Sequence, residues 1–201
     1  MKKIGIMGGT FDPIHIGHLI LAETAYEQLH LDKVMFLPAG NPPHKRHREG
    51  RALDEQRAIM TDLATRDNPH FENSLFEMQL EGYTYTYRTL EMLREQNPDC
   101  EYYFIIGADS LFDFDGWMKP ERIAAACHLV VATRDSADNE LLERTLEEKR
   151  QKYQADFIRL HSPNIEVASH ELRERIHEGR SVRYYLPDAV LAYIQEHQIY
   201  Q

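Results

Sequence analysis

Residues 8–18 read Gly-Gly-Thr-Phe-Asp-Pro-Ile-His-Ile-Gly-His, and they carry the densest chemistry in the chain. Gly8 and Gly9 let the backbone approach a ligand closely or take positive φ. His15 and His18 are three apart, so on a helix they share one face. Two imidazoles beside a glycine turn suit the stabilisation of a phosphoryl group that gains negative charge. The elements that must position them are legible on either side. Lys3–Met7 is a short apolar segment that predicts a buried first strand. Leu19, Ile20, Ala22, Ala25, Tyr26 and Leu29 recur at helical spacing. The turn therefore feeds a helix N-terminus, whose free N–H groups offer a phosphate site. A His-x-x-His metal pair is the rival chemistry, but no third ligand stands at a convincing spacing, and no metal ligand is assigned. Neither a P-loop nor the dinucleotide glycine fingerprint is present.

Strand-like and helix-like segments alternate along the rest of the chain. The strands expected are Lys3–Met7, Lys33–Leu37, Phe71–Phe76, Glu101–Ile106, His128–Ala132 and Asp156–Leu160. The helices expected are Ile16–Leu29, Leu53–Arg66, Thr86–Gln96, Pro120–Ala126, Asn139–Tyr153, Ser169–Glu178 and Pro187–His197. This alternation implies an α/β fold of the Rossmann-like, doubly wound kind, with a mainly parallel sheet, helices on both faces, and ligands at the carboxyl ends of the strands. No linker divides the 201 residues, so a single domain over 1–201 is expected. The charge run Glu143–Lys152 reads as the solvated face of a helix.

Further chemistry falls in loops after the strands. Pro42-Pro43-His44-Lys45-Arg46-His47-Arg48 is a proline-stiffened basic loop. Lys45 suits a movable point charge for polyphosphate, while the arginines and His47 read equally well as solvated. Gly107-Ala108-Asp109-Ser110 offers Asp109 to ribose hydroxyls or as a helix cap. Trp117 is either core or a half-exposed stacking platform. Thr84 and Thr86 are natural N-caps ahead of a helix, and Ser169 starts another helix in the same way. Arg173, four residues on, shares its face, so the pair could hold a phosphate or be a cap and a surface arginine.

A net charge of −10 argues against a general nucleic-acid or acidic-membrane binder. Two cysteines without a pairing or metal pattern fit a reducing, cytoplasmic compartment, and nothing approaches a transmembrane span.

Gly9, Phe11, Pro13, His15, Gly17 and His18 resemble the G-x-F-x-P-x-H-x-G-H motif of the nucleotidyltransferase superfamily. With Pro42-Pro43-His44-Lys45, Tyr85-Thr86, Thr89-Leu90, Phe104–Asp109, Trp117 and the closing Tyr185-Leu186-Pro187, Val190, Tyr193-Ile194 and Tyr200, the chain resembles the bacterial nicotinate mononucleotide adenylyltransferases almost end to end. That resemblance implies transfer of the adenylyl group of ATP to nicotinate mononucleotide in NAD biosynthesis. It implies ATP binding by Gly8, Gly9, Thr10, Phe11, His15, His18, Gly107, Asp109, Ser169 and Arg173. His15, His18, Lys45 and Arg173 would be catalytic, and Thr86, Trp117 and Lys45 would bind the mononucleotide. Mg²⁺ would come with ATP, and no nucleic acid or membrane partner is implied. The sequence leaves room for a homo-oligomer. Ala168 and His170 replace two hydroxyls of the family's phosphate helix, and Arg88 stands where relatives carry an uncharged or acidic residue. Two rivals stay open: a sister transferase with another acceptor, and a sensor that binds ATP without turning it over.

Overall fold

A computed structural model describes residues 1–41, 50–133 and 139–201. Its elements run β1 (Lys2–Gly9), α1 (Ile16–Leu29), β2 (Lys33–Pro38), α2 (Asp54–Thr65), β3 (Phe71–Asn73), α3 (Thr86–Gln96), β4 (Cys100–Gly107), α4 (Ala108–Phe112), α5 (Pro120–Ala126), β5 (His128–Thr133), α6 (Asn139–Tyr153), β6 (Phe157–His161), α7 (Ser169–His177) and α8 (Asp188–Glu196). The six strands are ordered β3-β2-β1-β4-β5-β6, and the pairs β1–β4, β4–β5 and β5–β6 are parallel. This is the strand order of a Rossmann-like doubly wound fold, as the alternation of elements implied.

Most element ends fall within two residues of those expected, and two departures are larger. The segment expected as a strand over Phe71–Phe76 stops at Asn73, because the Ser74 hydroxyl accepts the Phe76 N–H at 3.4 Å and turns the chain into a 3₁₀ turn at Glu77–Gln79. The short α4 grows out of the segment read as a loop after β4.

The chain forms two compact units. The first comprises Met1–Met7, Leu21–Val34 and Tyr85–Asn164. Leu129, Val130, Val131, Leu146, Phe157 and Leu160 are buried there, and Phe114 packs edge-on against Tyr153 and Phe157 at 5.4 and 5.5 Å. The run Glu143–Lys152 is not simply a solvated face. Lys149 is buried and donates to Asp115 at 2.7 Å, and Lys152 and Tyr153 donate to the same carboxylate. Those donors hold the Asp115 carboxyl far below its ordinary range.

The second unit comprises Gly8–Ile20, Met35–Thr84 and Ile165–Gln201. Its core is built on Phe11, Ile14, Phe36, Met60, Leu172, Val190 and Ile194. Gly40, just past β2, faces the Glu77 backbone so closely that a Cβ would overlap the Glu77 carbonyl oxygen and lie 2.8 Å from its carbon. Backbone cannot swing aside as a flexible side chain can. Gly40→Ala should therefore cost about 2 kcal/mol or more and lower the thermal midpoint by roughly 4 °C or more. An unchanged melting curve would show that this contact does not constrain the fold.

Candidate active site

The second unit brings most of the motif residues together. β1 ends at Gly8-Gly9, and Phe11 then takes φ 50 with its side chain fully buried. Left-handed backbone is costly for a bulky residue. Its ring offsets the cost by packing on Phe36 at 5.9 Å and edge-on to His18 at 5.1 Å. The same ring passes over Gly9, where a Cβ would stand 2.8 Å from it, so this glycine is required by close approach. The Asp12–Pro13 bond is cis.

Helix α1 seats the two histidines. The His15 N–H donates to His18 Nδ1 at 3.3 Å, and the His15 carbonyl accepts the His18 N–H at 3.0 Å. The third helical residue thus reaches back to satisfy a donor at the helix start, as the carboxylate of a capping box does. The Tyr185 carbonyl accepts the Ile16 N–H at 3.0 Å. The two imidazoles stack with centroids 3.8 Å apart. A Cβ on Gly17 would stand 3.0 Å from His15 Nδ1, so glycine makes room for the lower ring.

Both imidazoles are neutral at neutral pH. Desolvation lowers His15 to about 4. Desolvation first, and the neighbouring His15 second, hold His18 well below its ordinary value. Because His18 Nδ1 accepts a backbone N–H, its proton resides on Nε2, where it is a donor for a ligand. The stability consequence has a definite sign. The unfolded chain protonates its histidines near 6.5, while folded His15 resists protonation until about 4. Stability is therefore full above about 6.5 and falls as pH drops through that window, by up to about 3 kcal/mol from His15 alone. Denaturant midpoints from pH 7.5 to 4.5 should show this loss, and His15→Asn should flatten it. An unchanged slope in the variant would refute the desolvated state of His15.

Arginines secure the turn from outside. Arg57, buried, donates to the Thr10 carbonyl at 2.6 Å, the Ala39 carbonyl at 2.7 Å and Asp54 at 2.7 Å. Arg173 Nη1 donates to the Asp12 carbonyl at 2.6 Å, and the Ser169 hydroxyl donates to the Pro13 carbonyl at 2.9 Å. Ser169 is therefore not an N-cap. Ala168 holds that position without a side-chain bond, and Ser169 is spent on the motif turn. Arg173 keeps a part-exposed guanidinium, and His170 is exposed. Lys45 and its loop lie outside the described residues.

The other expected site residues belong to the first unit. Gly107 ends β4 and occupies the N-cap position of α4, so Asp109, exposed in the first turn, does not cap that helix. A Cβ on Gly107 would meet nothing within 4 Å, so packing inside the protein does not demand glycine there. Trp117 is half-buried, with its ring 5.7 Å from Phe114 and edge-on to Phe104 at 6.3 Å. Thr86 is the first residue of α3, and Tyr85, not a threonine, is the N-cap. Thr84, in the second unit, is buried with its hydroxyl lacking a partner among the described residues.

Sequence reading missed Arg57, Arg51 and the carboxylate of Asp12. Arg57 lay in a helix as one charge among many, and only the folded chain shows its carbonyl partners.

Comparison with known proteins bears on the fold and the family. The cytidylyltransferase-like family model matches residues 6–175. A protein of Lachnoclostridium phytofermentans named "Probable nicotinate-nucleotide adenylyltransferase" is 48% identical over 200 residues, covering 100% of both chains. One of the same name from Thermoanaerobacter sp. is 40% identical, covering 99% of this chain and 94% of its own. Among solved structures, Plasmodium falciparum nicotinic acid mononucleotide adenylyltransferase complexed with NaAD shares the fold, with a TM-score of 0.79 at 17% identity over 100% of this chain and 98% of that one. The same enzyme complexed with APC gives 0.78. The chain belongs to the cytidylyltransferase-like family and, within it, to the nicotinate-nucleotide adenylyltransferases.

Proposed function

We propose that the protein transfers the adenylyl group of ATP to nicotinate mononucleotide, giving nicotinate adenine dinucleotide and pyrophosphate. The observation that carries this reading is the stacked His15–His18 pair, neutral and seated on the first turn of α1 beside the glycine turn. A phosphate oxygen of the mononucleotide, already ionised, attacks the α-phosphorus in line. One P–O bond forms, the bond to the β-phosphate bridging oxygen breaks, and pyrophosphate leaves with the electron pair. No protein base is required.

The chain positions groups and stabilises charge. His18 Nε2–H and the His15 imidazole supply neutral N–H donors to the transferring phosphoryl group, and Arg173 and Lys45 supply positive charge. The backbone of Gly8, Gly9, Thr10 and Phe11 lies along the nucleotide. Gly107, whose missing Cβ leaves open space, and Asp109 take its base and ribose. Ser169 braces the turn that the phosphates approach. Thr86 and Trp117 receive the nicotinate carboxylate and ring, with Lys45 near the acceptor's phosphate. Among the described residues no group of three or more His, Cys, Asp or Glu could hold a metal ion. Mg²⁺ would come bound to ATP and would offset the charge of the triphosphate.

Residues 1–201 act together in this reading as one nucleotidyltransferase domain, supported by relatives that align along the whole chain. We place the protein in the cytoplasm, consistent with two free cysteines. Among the described residues no helix is long and apolar enough to cross a membrane. The test is pyrophosphate release from MgATP with nicotinate mononucleotide, nicotinamide mononucleotide, phosphopantetheine and FMN as acceptors. Turnover with a distant acceptor alone would overturn the reading, as would ATP binding without turnover.

A further inference from the structure

We propose that Asp12, oriented by the hydroxyl of Tyr200, is a positioning residue that keeps the Arg173 guanidinium aimed and uncommitted for the triphosphate. The inference rests on the phosphate role given to Arg173 above.

Asp12 is the only acidic residue before Glu23, and it is 2% exposed. A buried carboxylate is costly, and one beside a polyphosphate turn adds repulsion, so it needs a compensating use. Its two oxygens have different lives. Oδ1 accepts the Tyr200 O–H at 2.7 Å and the Ala52 N–H at 3.1 Å. Oδ2 has no hydrogen-bond partner among the described residues, although Arg173 Nη1 stands 3.7 Å away and Arg51 Nε 3.8 Å away.

Arg173 instead donates Nη1 to the main-chain carbonyl of Asp12. The guanidinium thus lies within the field of the carboxylate without forming the forked pair that arginine and carboxylate favour. A forked pair needs both carboxylate oxygens, and Tyr200 and Ala52 occupy one of them. Burial and Asp12 itself push the Tyr200 hydroxyl well above its ordinary range, so it remains a donor. Removing that hydroxyl leaves Oδ1 held by the Ala52 N–H alone, and the loosened carboxylate can then rotate and capture Arg173 in a bidentate pair. An arginine so captured has its charge offset and its donors occupied, so the phosphates can use neither.

The experiment uses the full chain and MgATP. Dissociation constants are measured by titration calorimetry for wild type, Tyr200→Phe, Arg173→Ala and the double variant, with thermal midpoints of the same proteins. Tyr200→Phe is expected to weaken MgATP about tenfold, the scale of one hydrogen bond to a charged group. In the Arg173→Ala background the same change should cost about twofold or less, because the group acted upon is gone. Asp12→Asn provides a second route: its effect on MgATP should also vanish without Arg173. Equal costs of Tyr200→Phe in both backgrounds would overturn the proposal and leave a structural tie. So would an unchanged MgATP affinity in Tyr200→Phe. If Arg173→Ala alone binds MgATP as wild type does, both this proposal and the phosphate role of Arg173 fall, while pyrophosphate release by the wild type still decides adenylyl transfer separately.

Discussion

His18→Ala is expected to lower kcat about a hundredfold or more while the KM for ATP moves far less. His18 Nδ1 is committed to the His15 N–H, which leaves Nε2–H as the donor proposed for the phosphoryl group. Such a donor, fixed before the substrate arrives, costs no reorganisation when charge shifts on the phosphoryl oxygens. Its loss is felt mainly in the transition state. In the proposed complex the ground-state triphosphate would keep its contacts with Arg173 and the backbone, so binding should suffer less. Stability gives the contrasting readout. The substitution deletes a helix-start hydrogen bond, so a modest fall in the thermal midpoint is expected near neutral pH. His18→Asn, whose amide oxygen can accept the His15 N–H, should restore the cap without restoring the rate. Steady-state rates together with thermal melts separate these roles. A variant that melts lower yet turns over normally per folded molecule would make His18 a structural residue.

Local patterns made much of this fold legible. The spacing of Leu19, Ala22, Ala25 and Leu29 marks α1, and the helices at Thr86–Gln96, Pro120–Ala126 and Asn139–Tyr153 begin and end where composition placed them. These are short-range effects of side-chain period and helix breakers. The same kind of reading failed at hydroxyls. Thr86 and Ser169 look like caps by type, but each sits one residue inside its helix, with Tyr85 and Ala168 outside. Ser169 finds a better acceptor at Pro13, 156 residues away. Lys149 looked like surface charge because its partner, Asp115, lies 34 residues earlier. Tyr200 and Asp12 are 188 residues apart. Interactions of this reach leave no periodic trace. They were invisible until the chain closed on itself, and they include most of what holds the motif turn in place.

Nicotinate mononucleotide should be preferred over the amide by about a hundredfold or more in kcat/KM. The two acceptors differ by one charge and by the replacement of an acceptor oxygen with an NH₂ group. Thr86 opens α3, and the N-cap residue before it, Tyr85, makes no side-chain cap bond. The first N–H groups of a helix lack partners inside it, and the helix dipole favours an anion at that end. A carboxylate accepts from such donors, whereas an amide presents its own N–H to some of them and leaves them unpaired. Exposed Arg88, two residues on, adds positive charge to the same first turn. Trp117 should contribute ring contact that is indifferent to the charge. Trp117→Ala is therefore expected to raise the KM of both mononucleotides while leaving their ratio and the KM of ATP nearly intact. Thr86→Val, which keeps the shape and removes the hydroxyl, should shrink the ratio instead. Rates measured with both mononucleotides for the three proteins decide the matter. Equal turnover of acid and amide by the wild type would remove the carboxylate site from α3, and a ratio that collapses in Trp117→Ala but survives in Thr86→Val would move discrimination from the hydroxyl to the ring.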